Sequence, residues 1–430
     1  MNKPTVARLR SQLRPSLWQS MALVAGVTIA YGLDYLFNLV IGRMLTPAEF
    51  SIVVALAGVG QVLVVSSRVI QTVVTRYIAR FQAGVEADGR IASFLQSMFR
   101  ASWRWGMLAW IVLAILSWPL ATFLQIEEIW PVQALAAATL LMVVRPVVGG
   151  ALQGLQQFSV LSAVQITQAL LRLLLGALLV WLGWGAFGAM LSLPLASAVA
   201  LVVGWVFLDT AVKRKTAVHH QVHLPEMFRY ATYTAAGLIG YALLINMDAI
   251  LVRRFFDPAV AGDYSAAITL GKVIQFFPVA IIMILFPKAA QRQAARRDAG
   301  RILLAAMGIV GLVCGGIALV YGLFPQPIVH LVMGPEYEVE GIVLGLVGLA
   351  MLLQSLSNVW LNYFLSTEWT QYVYLVGLGI VLQVSAMILF HEAIWQLPAA
   401  MAVTGLWLNV AGIIIYFWRR RAPDPKGFNL

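Results

Sequence analysis

The stretch Leu17–Phe50, LWQSMALVAGVTIAYGLDYLFNLVIGRMLTPAEF, decides how the rest of the chain is read. From Leu17 to Val40 it is an almost unbroken apolar run. That run is too long for the apolar region of a signal peptide, and no small-residue cleavage pattern closes it. It is long enough to cross a bilayer, which takes about 20 apolar residues. It therefore predicts an uncleaved first span, preceded by a basic surface helix with Lys3, Arg8, Arg10 and Arg14. One acid, Asp34, stands inside the run, with Asn38 one helical turn on. A turn from Arg43 to Pro47 follows, and then Glu49, where a carboxylate meets the positive end of the next helix.

The remainder of the chain has the same character. Of 430 residues, 61% are hydrophobic and 11% charged, and mean hydropathy is +0.85. Soluble domains carry about 25% charged residues, so this composition excludes a soluble globular enzyme and a disordered chain. The expected fold class is an all-α polytopic membrane protein with about twelve transmembrane helices. Spans are predicted at 17–40, 50–73, 103–124, 132–151, 159–182, 186–208, 231–252, 264–286, 303–324, 341–364, 372–390 and 398–418. This divides the chain into an N-terminal six-helix lobe (1–210), an inter-lobe loop (211–230) and a C-terminal six-helix lobe (231–430).

The net charge of +11 is mostly topology. Of the 29 Lys and Arg residues, 22 fall on one side, in the N-terminal segment, the connections after spans two, six and eight, and the C-terminal tail. The opposite side holds Arg43, Arg253 and Arg254. The positive-inside rule then places both termini in the cytoplasm. Basic residues spread in this way argue against nucleic acid and for contact with anionic membrane lipids. Trp18, Trp118, Trp130, Trp184, Trp369, Trp395 and Trp418 lie near span ends, as an interfacial aromatic belt does. The single cysteine, Cys314, sits in an apolar stretch and permits no internal disulfide.

An internal repeat relates the two halves. The first reads Asp34-Tyr35-Leu36-Phe37-Asn38, then Arg43 to Pro47, then Glu49-Phe50-Ser51. The second reads Asn246-Met247-Asp248, then Arg254 to Pro258, then Asp263-Tyr264-Ser265. Each half opens with a span carrying Asp and Asn near its outer end, followed by an Arg-x-x-x-Pro turn and an acid that opens the next helix. Parallel repeats of this kind are a transporter architecture.

Six charges lie within spans: Asp34, Arg68, Arg145, Arg172, Asp248 and Lys272. Facing lipid they would together cost about 15–20 kcal/mol on the insertion scale, so they should face a cavity or one another. Arg172 and Lys272 are expected nearest the middle of the bilayer. Arg68 and Arg145 are expected in the cytoplasmic third, and Asp34 and Asp248 in the outer third. A bland alternative has Arg68 and Arg145 snorkelling to headgroups. Another pairs Asp34 with Arg43, and Asp248 with Arg253 or Arg254, at the outer ends. Four cations against two anions leave the interior net positive, and such a cavity attracts an anion. The guanidinium fork suits phosphate oxygens, and Lys supplies a point charge. Arg172, Lys272, Arg145 and Arg68 are therefore the candidate substrate-binding residues. Asp34, Asp248, Asn38 and Asn246 are candidates for ion coupling or gating. Pro119, Pro146, Pro194 and Pro278 lie in or near span interiors and suit either hinges or static kinks. The glycines of Gly308–Gly316 are read as close helix packing.

Enzyme signals are poor. There is no Walker A sequence, no H-E-x-x-H and no G-x-S-x-G. His219 and His223 have metal-like spacing, with His220 between them, but no third ligand type is near, so no metal site is expected. Glu127, Glu128, Glu336, Glu338 and Glu340 read as solvated external charge. No catalytic residue and no cofactor are expected, beyond a coupling ion, H+ or Na+.

Three segments carry a family resemblance. Gly42–Phe50 resembles the first external turn of polysaccharide-biosynthesis transporters, the Wzx-type oligosaccharide flippases. Thr75–Arg80 resembles their second-span exit, and Gly150–Phe158 their turn between spans four and five. The likeness covers roughly the first 200 residues. It extends to the superfamily that also holds lipid II flippases and multidrug (MATE) exporters. The resemblance implies a MATE-like fold, two six-helix lobes related by a pseudo-two-fold axis, working by alternating access in the bacterial inner membrane. It also implies a substrate, an oligosaccharide on a polyprenyl diphosphate. Partner glycan polymerases or glycosyltransferases, and a monomeric state, are expected. The rival reading is a MATE-like ion-coupled antiporter exporting small molecules, with Asp34 as its accessible carboxylate. A membrane glycan polymerase is disfavoured, because it would need a larger external loop than the one around Pro325–Glu340.

Overall fold

The computed structural model describes residues 25–82, 87–208, 225–294, 300–367, 369 and 371–421. The expected basic N-terminal helix, most of the loop 211–230, the His219–His223 cluster and the basic tail beyond Arg421 lie outside the described residues. The described chain is helical throughout. Its elements are α1 (Ala25–Met44), α2 (Pro47–Gln82), α3 (Ala87–Phe123), α4 (Trp130–Gly154), α5 (Phe158–Leu179), α6 (Gly185–Phe207) and α7 (Pro225–Leu244). Then come α8 (Met247–Phe255), α9 (Pro258–Ala294), α10 (Gly300–Leu323), α11 (Pro325–Val332), α12 (Gly341–Ser366), α13 (Tyr372–Leu389) and α14 (Gln396–Arg421).

Among the described residues, nine helical stretches are long and apolar enough to cross a membrane, and a bent pair makes a tenth. One of the nine, Phe158–Phe207, is a hairpin of α5 and α6. The chain reverses there through Gly183 (φ 87°) and Gly185 (φ 50°), left-handed positions that favour glycine. The 37 residues of α9 add a helix about 55 Å long. Within the described residues, eleven of the twelve predicted spans thus fall on helices and the twelfth, 231–252, on the bent pair. The protein is an all-α polytopic membrane protein, and large apolar side chains such as Ile115, Trp181, Leu312 and Val403 line its exposed surface.

Two compact units are present. The first holds α1, α2 from Leu63 onward and α3–α6. The second holds α2 through Val62 and α7–α14. In the first unit, Gln71 of α2 donates from Nε2 to Gln153 Oε1 of α4 at 3.0 Å, and Ser67 donates to the carbonyl of Met142.

The repeated turn forms real helix starts. Pro47 opens α2 and Pro258 opens α9, the first-turn position where a missing N–H costs nothing. Ahead of α2, Thr46 Oγ1 accepts from the Glu49 amide at 3.3 Å. In return Glu49 Oε2 accepts from the Thr46 hydroxyl at 3.2 Å and the Thr46 amide at 3.4 Å, a capping box. The second copy departs from the expectation. Because α9 starts at Pro258, Asp263 lies beyond its first turn and instead accepts from the Glu338 amide at 3.0 Å.

Two further expectations are corrected. The span predicted at 231–252 is broken into α7 and α8 with a 40° bend. There Asn246 Nδ2 donates to the carbonyl of Ala242 at 2.8 Å, and Gln383 Nε2 of α13 donates to that of Leu244 at 2.7 Å. Side-chain amides thus hold carbonyls of the last turn of α7, a recognised cause of a kink. The glycines of Gly308–Gly316 do not form a packing seam. A Cβ on Gly308, Gly311 or Gly316 would meet nothing within 4 Å, and one on Gly315 only Leu352 at 3.9 Å, because that face of α10 looks outward.

Candidate functional site

In the first unit the buried charges converge on Asp34. Helices α1 and α5 lie side by side, and Arg172 Nη1 of α5 donates to Asp34 Oδ1 of α1 at 3.0 Å. The guanidinium also stacks over the Phe37 ring, 4.1 Å from its centroid. Such a cation–π contact gains strength where water is excluded. One turn after Arg172, Gly176 leaves the space this ring needs, since a Cβ there would lie 2.6 Å from Phe37 Cε2. Arg172 Nε is buried and makes no hydrogen bond. Arg145, on α4, is close enough for its charge to act on Asp34. Two cations, Arg172 in contact and Arg145 through its field, therefore act on one carboxylate. Its exposure is uneven, with the Asp34 side chain 41% exposed and Arg172 16%.

The second unit holds its own acid in a sealed setting, with a half-buried cation acting on it. Asp248, in the first turn of α8, is fully buried. Tyr264 donates its hydroxyl to Asp248 Oδ2 at 3.2 Å, while Oδ1 makes no hydrogen bond. Lys272 of α9 acts on Asp248 through its charge. Arg253 is also buried rather than standing at the outer surface, and its Nη1 donates to Ser51 Oγ at 3.1 Å. Nearby, Gln354 Nε2 donates to Gln383 Oε1 and to the Met401 carbonyl, both at 3.3 Å.

The sequence-derived candidates are thus placed as follows. Arg172, Arg145 and Asp34 come together, and Lys272 comes to Asp248. Asp34 pairs with Arg172 of α5, and α1 runs to Met44, four residues beyond the predicted span end. Arg68 has an exposed side chain. Asn38 and Asn246 both turn their amides back on the carbonyl one turn earlier, those of Asp34 and Ala242, each at 2.8 Å. Sequence reasoning missed Phe37, Gly176, Gln354 and Gln383. The glutamines carried a signal, since uncharged polar residues within apolar spans need partners as charges do.

Fold comparisons agree with this architecture. An inward-facing multidrug resistance MATE family transporter of the MOP superfamily superposes with TM-score 0.75 at 14% identity, covering 93% of this chain and 100% of that one. The lipid II flippase MurJ, inward closed, gives TM-score 0.70 at 9% identity, with 92% and 87% covered. A MOP superfamily transporter from Pyrococcus furiosus, described as having a binding pocket of reverse polarity, gives 0.58 at 14%, with 94% and 96% covered. No curated protein matches the chain in sequence. The fold is that of a multi-pass membrane protein with MATE-like architecture. Residues 17–293 match the model of the polysaccharide biosynthesis protein family, and the chain belongs to that family.

Proposed function

We propose that the protein is a flippase that moves a polyprenyl-diphosphate-linked oligosaccharide across the bacterial inner membrane by alternating access. Both termini are cytoplasmic in this reading, and residues 1–210 and 231–430 form the working lobes. The observation that carries it is the cationic cluster of Arg172 and Arg145 around the single carboxylate of Asp34. In a family tied to polysaccharide biosynthesis, an interior with surplus positive charge suits a diphosphate, because forked guanidinium donors match its oxygens. Arg68 extends the cationic set toward the cytoplasm, and Lys272 is its counterpart in the second unit. Asp248 and Asn246 serve packing or gating there. Export of small cations is the weaker reading, since the accessible carboxylate it requires is already neutralised by Arg172.

The test is complementation of polysaccharide export in a host lacking its own flippase. Arg172→Leu and Lys272→Met should each abolish export and accumulate the lipid-linked glycan, at unchanged protein level. Normal export by both variants would remove the proposed site.

A further inference from the structure

We infer that Asp34 is a placeholder for the substrate's diphosphate: an internal anion that occupies Arg172 until the diphosphate displaces it. The inference rests on the flippase reading and adds a role for the acid in the site.

Four observations lead to it. Arg172 is constrained on three sides, by Asp34 Oδ1 at Nη1, by the Phe37 ring against its flat face, and by burial around the unpartnered Nε. A guanidinium held in that way does not swing to meet a ligand, so a ligand has to come to it. Asp34 is the more accessible partner of the pair, 41% exposed against 16% for Arg172. Among the described residues, the Asp34 carboxylate has no hydrogen-bond donor besides Arg172. Asn38 donates to the backbone carbonyl of Asp34, not to its carboxylate, and the ion pair is a single contact, not a bidentate one. Finally, the charge balance favours exchange. Arg172 touches Asp34 and the charge of Arg145 acts on the same carboxylate, and a diphosphate brings more negative charge and more acceptor oxygens to these cations.

Asp248 sets the contrast. It is fully buried and takes a hydrogen bond from Tyr264, so no ligand can take its place without opening the second unit. Exchange is therefore assigned to the first unit alone. When Arg172 is empty, Asp34 also keeps it from being an uncompensated charge among apolar helices, whose cost would otherwise be large.

The experiment uses the full-length protein in phosphatidylcholine nanodiscs. Binding is measured for farnesyl diphosphate, for inorganic pyrophosphate and for farnesol. Asp34→Asn removes the competitor but keeps the shape, and is expected to tighten farnesyl diphosphate about three- to tenfold. A gain of affinity is not what damage to the fold produces. Arg172→Leu should abolish binding, and Asp34→Asn should bring no gain in an Arg172→Leu background. A parallel gain for pyrophosphate supports the inference with the diphosphate group alone as the recognised chemistry. A gain confined to farnesyl diphosphate supports it with a lipid-borne diphosphate as the ligand. An equal gain for farnesol overturns it. If Arg172→Leu abolishes binding but Asp34→Asn leaves affinity unchanged or weaker, the placeholder is wrong and the flippase reading stands. If Arg172→Leu binds farnesyl diphosphate like wild type, both fall.

Discussion

Replacing Gln383 by Leu tests the account of the broken helix. The Gln383 amide lies in a fully buried position and bridges three helices, donating to the Leu244 carbonyl of α7 at 2.7 Å and accepting from Gln354 of α12 at 3.3 Å. Leucine keeps the approximate volume and removes both bonds. The Leu244 carbonyl then loses its side-chain donor, and a buried polar group left unsatisfied costs about 1–3 kcal/mol. The bond between the glutamines adds about 0.6 kcal/mol, the average for interhelical bonds in membranes. Gln354 retains the Met401 carbonyl, so its amide nitrogen is not orphaned. The net expectation is a loss of about 2 kcal/mol. Thermal unfolding of the purified protein in detergent should show an apparent Tm several degrees below wild type. Gln354→Leu should cost less, and the double variant less than the sum of the two, because the partners share a bond. An apparent Tm within about 1 °C of wild type for Gln383→Leu would refute the claim that the side-chain amide holds the break.

Two other substitutions probe the helix starts. Thr46→Ala removes the cap of α2 and should cost about 1 kcal/mol, read as faster hydrogen exchange in the first turn of α2 with the rest of the helix unchanged. Gly262→Ala should sharply lower the yield of monodisperse protein, because a Cβ there would run into the backbone carbonyl of Pro47, which cannot yield as a side chain can; wild-type yield on size exclusion would contradict that.

Much of this architecture was legible in the sequence. Long apolar runs are self-announcing, since a bilayer core leaves a helix few alternatives. The Arg-x-x-x-Pro turns do separate one helix from the next, but α2 and α9 open at Pro47 and Pro258, ahead of the acids expected to open them. The buried charges were also legible as a set, because each is too expensive to leave in lipid. Their partners were not. Asp34 and Arg172 are 138 residues apart, and periodicity says nothing about which faces of α1 and α5 meet. Nearness in sequence offered Arg43 as an alternative partner of Asp34, but helix packing supplied Arg172. The break between α7 and α8 was hidden for the same reason. No Gly or Pro marks it at Ile245–Asn246, and one of its two causes sits on α13. The glycines of α10 misled in the opposite direction. Small residues license close packing but do not compel it, and here the partner helix lies elsewhere.

The slot that Gly176 leaves for Phe37 has one more consequence. The two positions share a single parcel of volume, although they stand on different helices and neither is charged. A lineage that enlarges residue 176 has to shrink residue 37, and with it surrender the aromatic face beneath Arg172. The grip on the guanidinium is therefore inherited as a pair of sizes, one of them zero, and not as any polar residue that an alignment of charges would reveal.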